Sequence, residues 1–416
     1  MRFTIIIPTF NRAELLDQAI QSALAQTYTN REILVVDDGS SDDTRSVASK
    51  YGPGIRYLRQ ENQGKAAALN RGIAAAEGEV IAILDDDDLY PQWTLAKHAE
   101  ALARNPTADF SFGRYVRFTG QKWPAASDLR DEEYVPTNDP RRLVIKLMER
   151  CFIPNPAWAV RKEAQMRAGA YDERLKRSQD YDMILRLARQ NEGAFVDDVV
   201  LFQRQHKAFR GPTLDRVLTV HSIEAWLKYD AIVFEGIDQK WTLSDFRPFL
   251  NPTSSNEFDA SPSLQKGVIL FHRKVYDGAR KALSDYRREL RNRAASDIER
   301  KIAWGLLGCC HGIEDLGANA LASASVASWL RAEKWPIMVR MAFASQLRWR
   351  VRLAIASGDL KFGQGLIRFS ARAFGLPVTL AVLFSRFSAG AKSWNGSQTQ
   401  TNSRIPTSFL LPGGSK

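Results

Sequence analysis

At 416 residues the chain is too long for one ordinary hydrophobic core, so at least two domains are predicted. A composition of 44% hydrophobic and 25% charged residues excludes wholesale disorder. Three cysteines (Cys151, Cys309 and Cys310), with no CxxC or Cys/His spacing, exclude a disulfide framework and a thiolate metal site, and so predict a reducing, cytoplasmic setting. The formal net charge of +11 is unevenly spread. No Asp or Glu follows Asp359, while Lys361, Arg368, Arg372, Arg386, Lys392, Arg404 and Lys416 remain. Such a surface suits phosphates, anionic lipid or nucleic acid; the plain alternative is a solvated helix face.

The apolar run Phe3–Ile7 ends at Pro8 and is too short for the core of a signal peptide, so it predicts a first buried strand. Three further short runs follow: Ile33–Val36, Ile55–Leu58 and Val80–Leu84. Amphipathic stretches separate them. The first carries Leu15, Leu16, Ala19, Ile20, Ala23 and Leu24 at helical spacing, with Asn11 and Glu14 placed as a capping box. Another, from Ala66 to Ala76, is rich in small residues and predicts close packing on a sheet. Strand and helix thus alternate, which predicts a parallel α/β layer with ligands outside the carboxyl ends of its strands.

Polar groups stand directly after those strands: Thr9 and Asn11, then Asp37-Asp38-Gly39-Ser40, then Asp85-Asp86-Asp87-Asp88. Four adjacent carboxylates repel one another, and a divalent cation answers that cost. Hard oxygen ligands predict Mg²⁺ or Mn²⁺; an acidic surface loop is the competing reading. Ser40 or Ser41 can cap the next helix, whereas Asp37 and Asp38 are placed to accept from a base N–H or a ribose hydroxyl. No GxGxxG and no Walker loop follows the first strand, so phosphate must be neutralised in another way. Further on, Asp180 and Asp182 lie at a predicted helix start, where stabilising the N-terminus and accepting a proton from an attacking hydroxyl are both open roles.

The order of these segments resembles the GT-A fold glycosyltransferases of family 2 over about residues 3 to 210. The matching text is Thr4 to Arg12, Val35 to Ser40, Asn62 to Lys65 with Asn70-Arg71-Gly72, Leu84 to Asp88, and Tyr171-Asp172-Glu173 followed by Gln179-Asp180. The resemblance implies an inverting transfer from a UDP-type sugar donor. Thr9, Asn11 and Asp38 would hold uracil and ribose, with Asp37 near them, Pro8 and Arg12 in the same nucleotide-sugar site, and Lys65 and Arg71 near the nucleotide. Asp87 would bind Mn²⁺ or Mg²⁺, with Asp85 or Asp86 toward the ribose. Asp180 would be the general base, and Arg204 and His206 stand where the family often has Arg-x-His near the diphosphate, with His206 a second metal ligand. Two departures are visible: Gln179 replaces the family's glutamate, and Gln346-Leu347-Arg348-Trp349 is one residue short of the Q-x-x-R-W of processive synthases. A single-addition enzyme is expected.

Three regions are predicted: a GT-A catalytic domain over residues 1–220, a helical domain over 221–392, and a disordered tail over 393–416. Residues 120 to 150 read as a long loop followed by a short helix, and Pro248, Asn251-Pro252 and Ser261-Pro262 as a linker. Trp226, Trp241, Trp304, Trp329, Trp335 and Trp349 are expected to fill helix–helix contacts. The uncharged stretch Ala373–Ser385 is short of the ~20 residues of a membrane span, and with flanking arginines it predicts surface attachment to an anionic membrane. The expected acceptor is a glycan or lipid-linked sugar used in bacterial surface polysaccharide synthesis. The competing classes are a nucleotidyltransferase that makes nucleotide sugars and a non-catalytic nucleotide-sugar-binding scaffold.

Overall fold

The computed structural model describes residues 1–120, 123–125, 128–129, 135–205, 222–247, 261–308 and 313–384. The linker expected around 248–252 and the tail expected from 393 lie outside the described residues. The chain divides into two compact units, one reaching Tyr229 and one starting at Asp230.

In the first unit β1 (Phe3–Thr9), β2 (Arg31–Asp37), β3 (Arg56–Arg59) and β4 (Val80–Ile83) run parallel in the order β3-β2-β1-β4. The crossovers are α1 (Ala13–Leu24), α2 (Thr44–Ser49) and α3 (Lys65–Ala75). All seven residues of β1 are buried, as a central parallel strand covered on both faces requires. The sheet then continues through β6 (Trp158–Arg161) to β5 (Ala108–Thr119) and β7 (Glu192–Gln205). β6 pairs antiparallel with both β4 and β5, which makes the seven-stranded sheet mixed. With helices α4 (Thr94–Arg104), α5 (Pro140–Glu149), α6 (Lys162–Ala168) and α7 (Gln179–Gln190), this is the GT-A arrangement that the motif order implied.

Two local expectations are corrected. Asn11 is not a helix cap: Arg12 precedes α1, Asn11 takes a left-handed φ of 52°, and its Oδ1 accepts from Ser41 N at 2.8 Å. Neither Ser40 nor Ser41 caps α2; Asp42 Oδ1 accepts from Thr44 N at 3.0 Å instead. Both side chains are used to join loops rather than to start helices.

In the second unit the described residues are helical or irregular, from the end of α8 (Ser222–Lys240) through α9 (Pro262–His272), α10 (Tyr276–Glu289) and α11 (Asp297–Trp304). Ser261-Pro262, expected in a linker, instead opens α9: Ser261 Oγ accepts from Leu264 N at 3.2 Å, and proline suits the first turn. Glu299, fully buried, accepts from Arg293 at 2.6 and 2.7 Å and from Ser261 N at 3.1 Å. There follow α12 (Glu314–Ala318), α13 (Ala320–Ala332), α14 (Ile337–Ala344), α15 (Leu347–Ala356), α16 (Leu360–Phe374) and α17 (Leu376–Phe384). An aromatic chain crosses them, with ring centroids 6.0 Å apart at Tyr286–Trp335, 5.3 Å at Trp335–Phe343 and 5.9 Å at Phe343–Phe374. Trp241 and Trp335 are buried as expected, but Trp226 and Trp349 are each 42% exposed and fill no helix–helix contact completely.

The close approach of α3 to the sheet follows from its small residues. A Cβ at Gly72 would stand 2.6 Å from Ile6 Cγ2 and 3.2 Å from Val36 Cγ2, both in the packed interior. Gly72→Ala is therefore expected to destabilise the first unit by about 1–3 kcal/mol, read as a lower urea midpoint at unchanged slope.

Candidate active site

Parallel pairing brings the ends of β1, β2 and β4 into one row. Thr9 lies opposite Asp37, Asp38 N donates to Thr9 O at 2.9 Å, and Leu84 N donates to Ile6 O at 2.9 Å. The acidic turn Asp85–Asp88 leaves β4 at this edge, with Asp86, Asp87 and Asp88 buried and Asp85 half-buried. Such crowding of like charges needs compensation, and three cations provide it.

Arg12, just before α1, donates through Nη1 to Asp86 Oδ1 and Asp87 Oδ2, each at 2.9 Å. Lys65, the first residue of α3, places Nζ 2.6 Å from Asp85 Oδ1. Burial works against the Lys65 charge, but Asp85 and Asp180 outweigh it and hold its pKa above the ordinary lysine value. Arg204 near the end of β7 is the third: its backbone N donates to Asp88 Oδ1 at 2.7 Å and its Nε to Asp87 O at 2.8 Å. It also donates to Gly120 O and, at 2.9 Å, to Gln18 Oε1, and its guanidinium lies 4.5 Å from the Phe118 ring centroid. Only 1% of Arg204 is exposed. Its side chain is thus built into the wall behind the acidic turn, a different role from the diphosphate contact expected of this position. Burial is also what lifts the Asp86 carboxyl above its usual range, with Asp87 adding to it and Arg12 and the Thr9 hydroxyl opposing.

Asp85, Asp87 and Asp88 each offer a carboxylate oxygen within 4.8 Å of the others. A donor set of hard oxygens at that spacing fits an octahedral divalent cation that keeps several non-protein ligands. Asp88 joins this group although the motif reading had singled out Asp87. The run of four aspartates alone cannot say which of them turn the same way.

The two aspartates after β2 are engaged within the fold. Asp37 accepts from Ser40 N at 2.8 Å and from the Tyr57 hydroxyl, with Arg59 Nε 3.6 Å away. Asp38 accepts from Gln60 Nε2 at 2.8 Å, Gln63 N at 2.9 Å and Gly64 N at 2.8 Å. Asp38 therefore shapes the loop that delivers Lys65. Gly64 makes that turn at a φ of 97°, which only glycine adopts freely. Pro8 and Thr9 end β1 in the buried floor and Asn11 is exposed at the rim. Arg71 is exposed, about 9 Å farther along α3 than Lys65.

Asp180 lies in the first turn of α7, half-buried. Burial first, and then the Asp85 charge, raise its pKa above the ordinary 3.8, while Lys65 pulls the other way. The segment leading to α7 is clipped to α3: Asn70 Nδ2 donates to Tyr171 O at 3.0 Å and Tyr171 N donates to Asn70 Oδ1 at 2.8 Å. The Tyr171 hydroxyl donates to Asn155 Oδ1 at 2.8 Å. Gln179 is 9% exposed, and its Oε1 has no hydrogen-bond donor among the described residues. Asp182 instead pairs with Arg186 at 2.7 Å, one turn along α7. His206 lies outside the described residues.

A mixed sheet whose carboxyl edge gathers an acidic turn, a lysine and a half-buried aspartate defines a GT-A transferase type of domain. Residues 4–166 match the family model described as Glycosyl transferase family 2. An uncharacterized glycosyltransferase of Rickettsia typhi is 34% identical over 209 residues, covering 49% of this chain and 64% of that protein. A second, from Rickettsia felis, is 29% identical over 258 residues, covering 61% of this chain and 42% of that protein. The chain thus spans less than half the length of the latter. Among solved structures, S. aureus TarS 1-349 in complex with UDP-GlcNAc is 16% identical with a TM-score of 0.49, covering 89% of this chain and 91% of that one.

Arg12 neutralises two carboxylates at once, so Arg12→Gln is expected to lower stability by about 1 kcal/mol in the presence of a chelator. Added Mn²⁺ should narrow that gap, because a cation among the aspartates replaces the lost charge. Thermal melts of both proteins with chelator and with Mn²⁺ measure the difference.

Proposed function

We propose that the chain is an inverting glycosyltransferase that moves a sugar from a nucleoside-diphosphate donor, of the UDP type, to a hydroxyl acceptor. One observation carries this reading. The oxygen cluster of Asp85, Asp87 and Asp88 and the half-buried Asp180 both face Lys65, at the carboxyl edge of a family 2 domain.

On this reading Asp87, with Asp85 and Asp88 beside it, holds Mn²⁺ or Mg²⁺. Such an ion, when bound, supplies positive charge to the leaving diphosphate. Lys65 adds charge at the same place. Pro8, Thr9 and Asn11, with the loop that Asp37 and Asp38 hold, line the site of base and ribose. Asp180 takes the proton of the acceptor hydroxyl as the new bond forms on the sugar face opposite the diphosphate. Its raised pKa strengthens it as a base, and Lys65 keeps its ionised form accessible near neutrality. The acceptor we favour is a glycan or a lipid-linked sugar, consistent with a role in surface polysaccharide or glycoconjugate synthesis.

Three outcomes test this. Calorimetric titration with a panel of nucleotide sugars should give Mn²⁺- or Mg²⁺-dependent binding that Asp87→Ala abolishes; binding indifferent to metal and to that substitution overturns the donor assignment.

Asp180→Asn should lower transfer about 10²–10⁴-fold while leaving donor affinity within about twofold. The acid limb of the wild-type pH profile should fall above the ordinary carboxylate value of 3.8, because turnover needs the ionised form.

A carboxyl whose folded-state pKa is raised costs stability as pH climbs from its unfolded value through the folded one. Asp180→Asn should therefore melt at or above the wild-type temperature at pH 7, and at the same temperature below pH ~4.

A further inference from the structure

The second unit carries an apolar and basic face that the transferase reading leaves unused. Helix α17 contains no charged residue, and Leu376, Leu380 and Phe384 stand along one stripe at spacings of four, exposed by 57%, 43% and 79%. On α15, Trp349 and Leu353 are likewise one turn apart and exposed by 42% and 48%. Helix α16 presents the opposite chemistry: Lys361, Arg368 and Arg372 are all exposed and fall on one side of it, at spacings of seven and four. The three helices meet at a groove of about 400 Å³ lined by Arg348, Val351 and Arg352 of α15, Ile367 of α16, and Leu383 and Phe384 of α17.

We infer that this face docks on an anionic phospholipid bilayer, lying on it without crossing it. An apolar stripe exposed on a folded protein marks an interaction surface. Charge selects the partner. Between Ile337 and Phe384 the chain has seven Arg and Lys residues and a single acidic residue, Asp359. A second copy would set like charges face to face, which opposes a symmetric pairing. A bilayer with anionic headgroups offers phosphates for Arg352 and Arg368 and, a few ångströms deeper, an apolar layer for Leu380 and Phe384. Trp349 suits the boundary between them. No described helix is long and apolar enough to span a membrane, so surface attachment is the geometry that these elements allow. The inference stands independently of the sugar-transfer reading.

Co-sedimentation of the full chain with phosphatidylcholine vesicles, with and without phosphatidylglycerol, tests it. Partition onto the anionic vesicles should exceed that onto neutral ones about tenfold or more, and rising salt should weaken it. Leu380→Glu with Phe384→Glu should cut it about tenfold, and so should Arg352→Glu with Arg368→Glu. Because all four side chains are exposed or groove-lining, thermal melts of the variants should match the wild type. Lipids brominated in their acyl chains should quench the tryptophan emission of the wild type, and less so that of Trp349→Phe. Equal partition onto both vesicle types overturns the proposal. So does binding unchanged by the apolar pair, which would be simple adsorption of charge. A dimer in sedimentation velocity that the apolar pair dissolves would assign the face to a second copy instead.

Discussion

Repulsion among the four carboxylates at the end of β4 is the constraint around which the first unit is organised. Three of them are buried, where uncompensated charge is costly. The compensating groups arrive from three parts of the chain: Arg12 from the end of β1, Lys65 from the start of α3, and the Arg204 backbone and side chain from β7. None of these pairings is idle. Arg12 bridges Asp86 to Asp87, which ties the remaining aspartate to the oxygen cluster of Asp85, Asp87 and Asp88.

Lys65 links the two halves of the site. Its ammonium stands on Asp85 and acts electrostatically on Asp180, so the acidic turn and the first turn of α7 share one charge. Asp38 contributes from a distance, since its three hydrogen bonds shape the loop that brings Lys65 to the edge. The reciprocal Asn70–Tyr171 pair then keeps the approach to α7 in step with α3. Positioning by loops alone would be looser; here each loop is fastened to a helix or strand.

Much of this layout was legible in the amino-acid order, for a physical reason. Parallel strands covered on both faces must be apolar throughout, so β1, β2 and β4 announce themselves as short Ile- and Val-rich runs, and the polar residues after them mark the ligand edge. What was hidden depends on contacts far apart in sequence. β5 mixes arginines with aromatic residues and β6 has only four residues, so neither shows as a simple apolar run. Asn11 and Ser41 looked like helix caps because their types suit that role, yet each serves the other. Arg204 was visible as a residue near the site, but its burial beneath the acidic turn follows from the pairing of β7 with β5 and from the bridge between Leu89 and Phe202.

That last contact bears on how the chain is made. Arg204 follows Asp88 and Asp87, which it clamps, by 116 and 117 residues, whereas Arg12 precedes its own partners Asp86 and Asp87 by 74 and 75. A nascent chain leaving the ribosome therefore has Arg12 at hand when the acidic turn emerges, but must wait for more than a hundred further residues before the clamp can close. During that interval the first strands can assemble while the turn stays open to water. The site reaches its final form only when β7 joins the sheet, so the last strand of the unit completes a feature begun by its first.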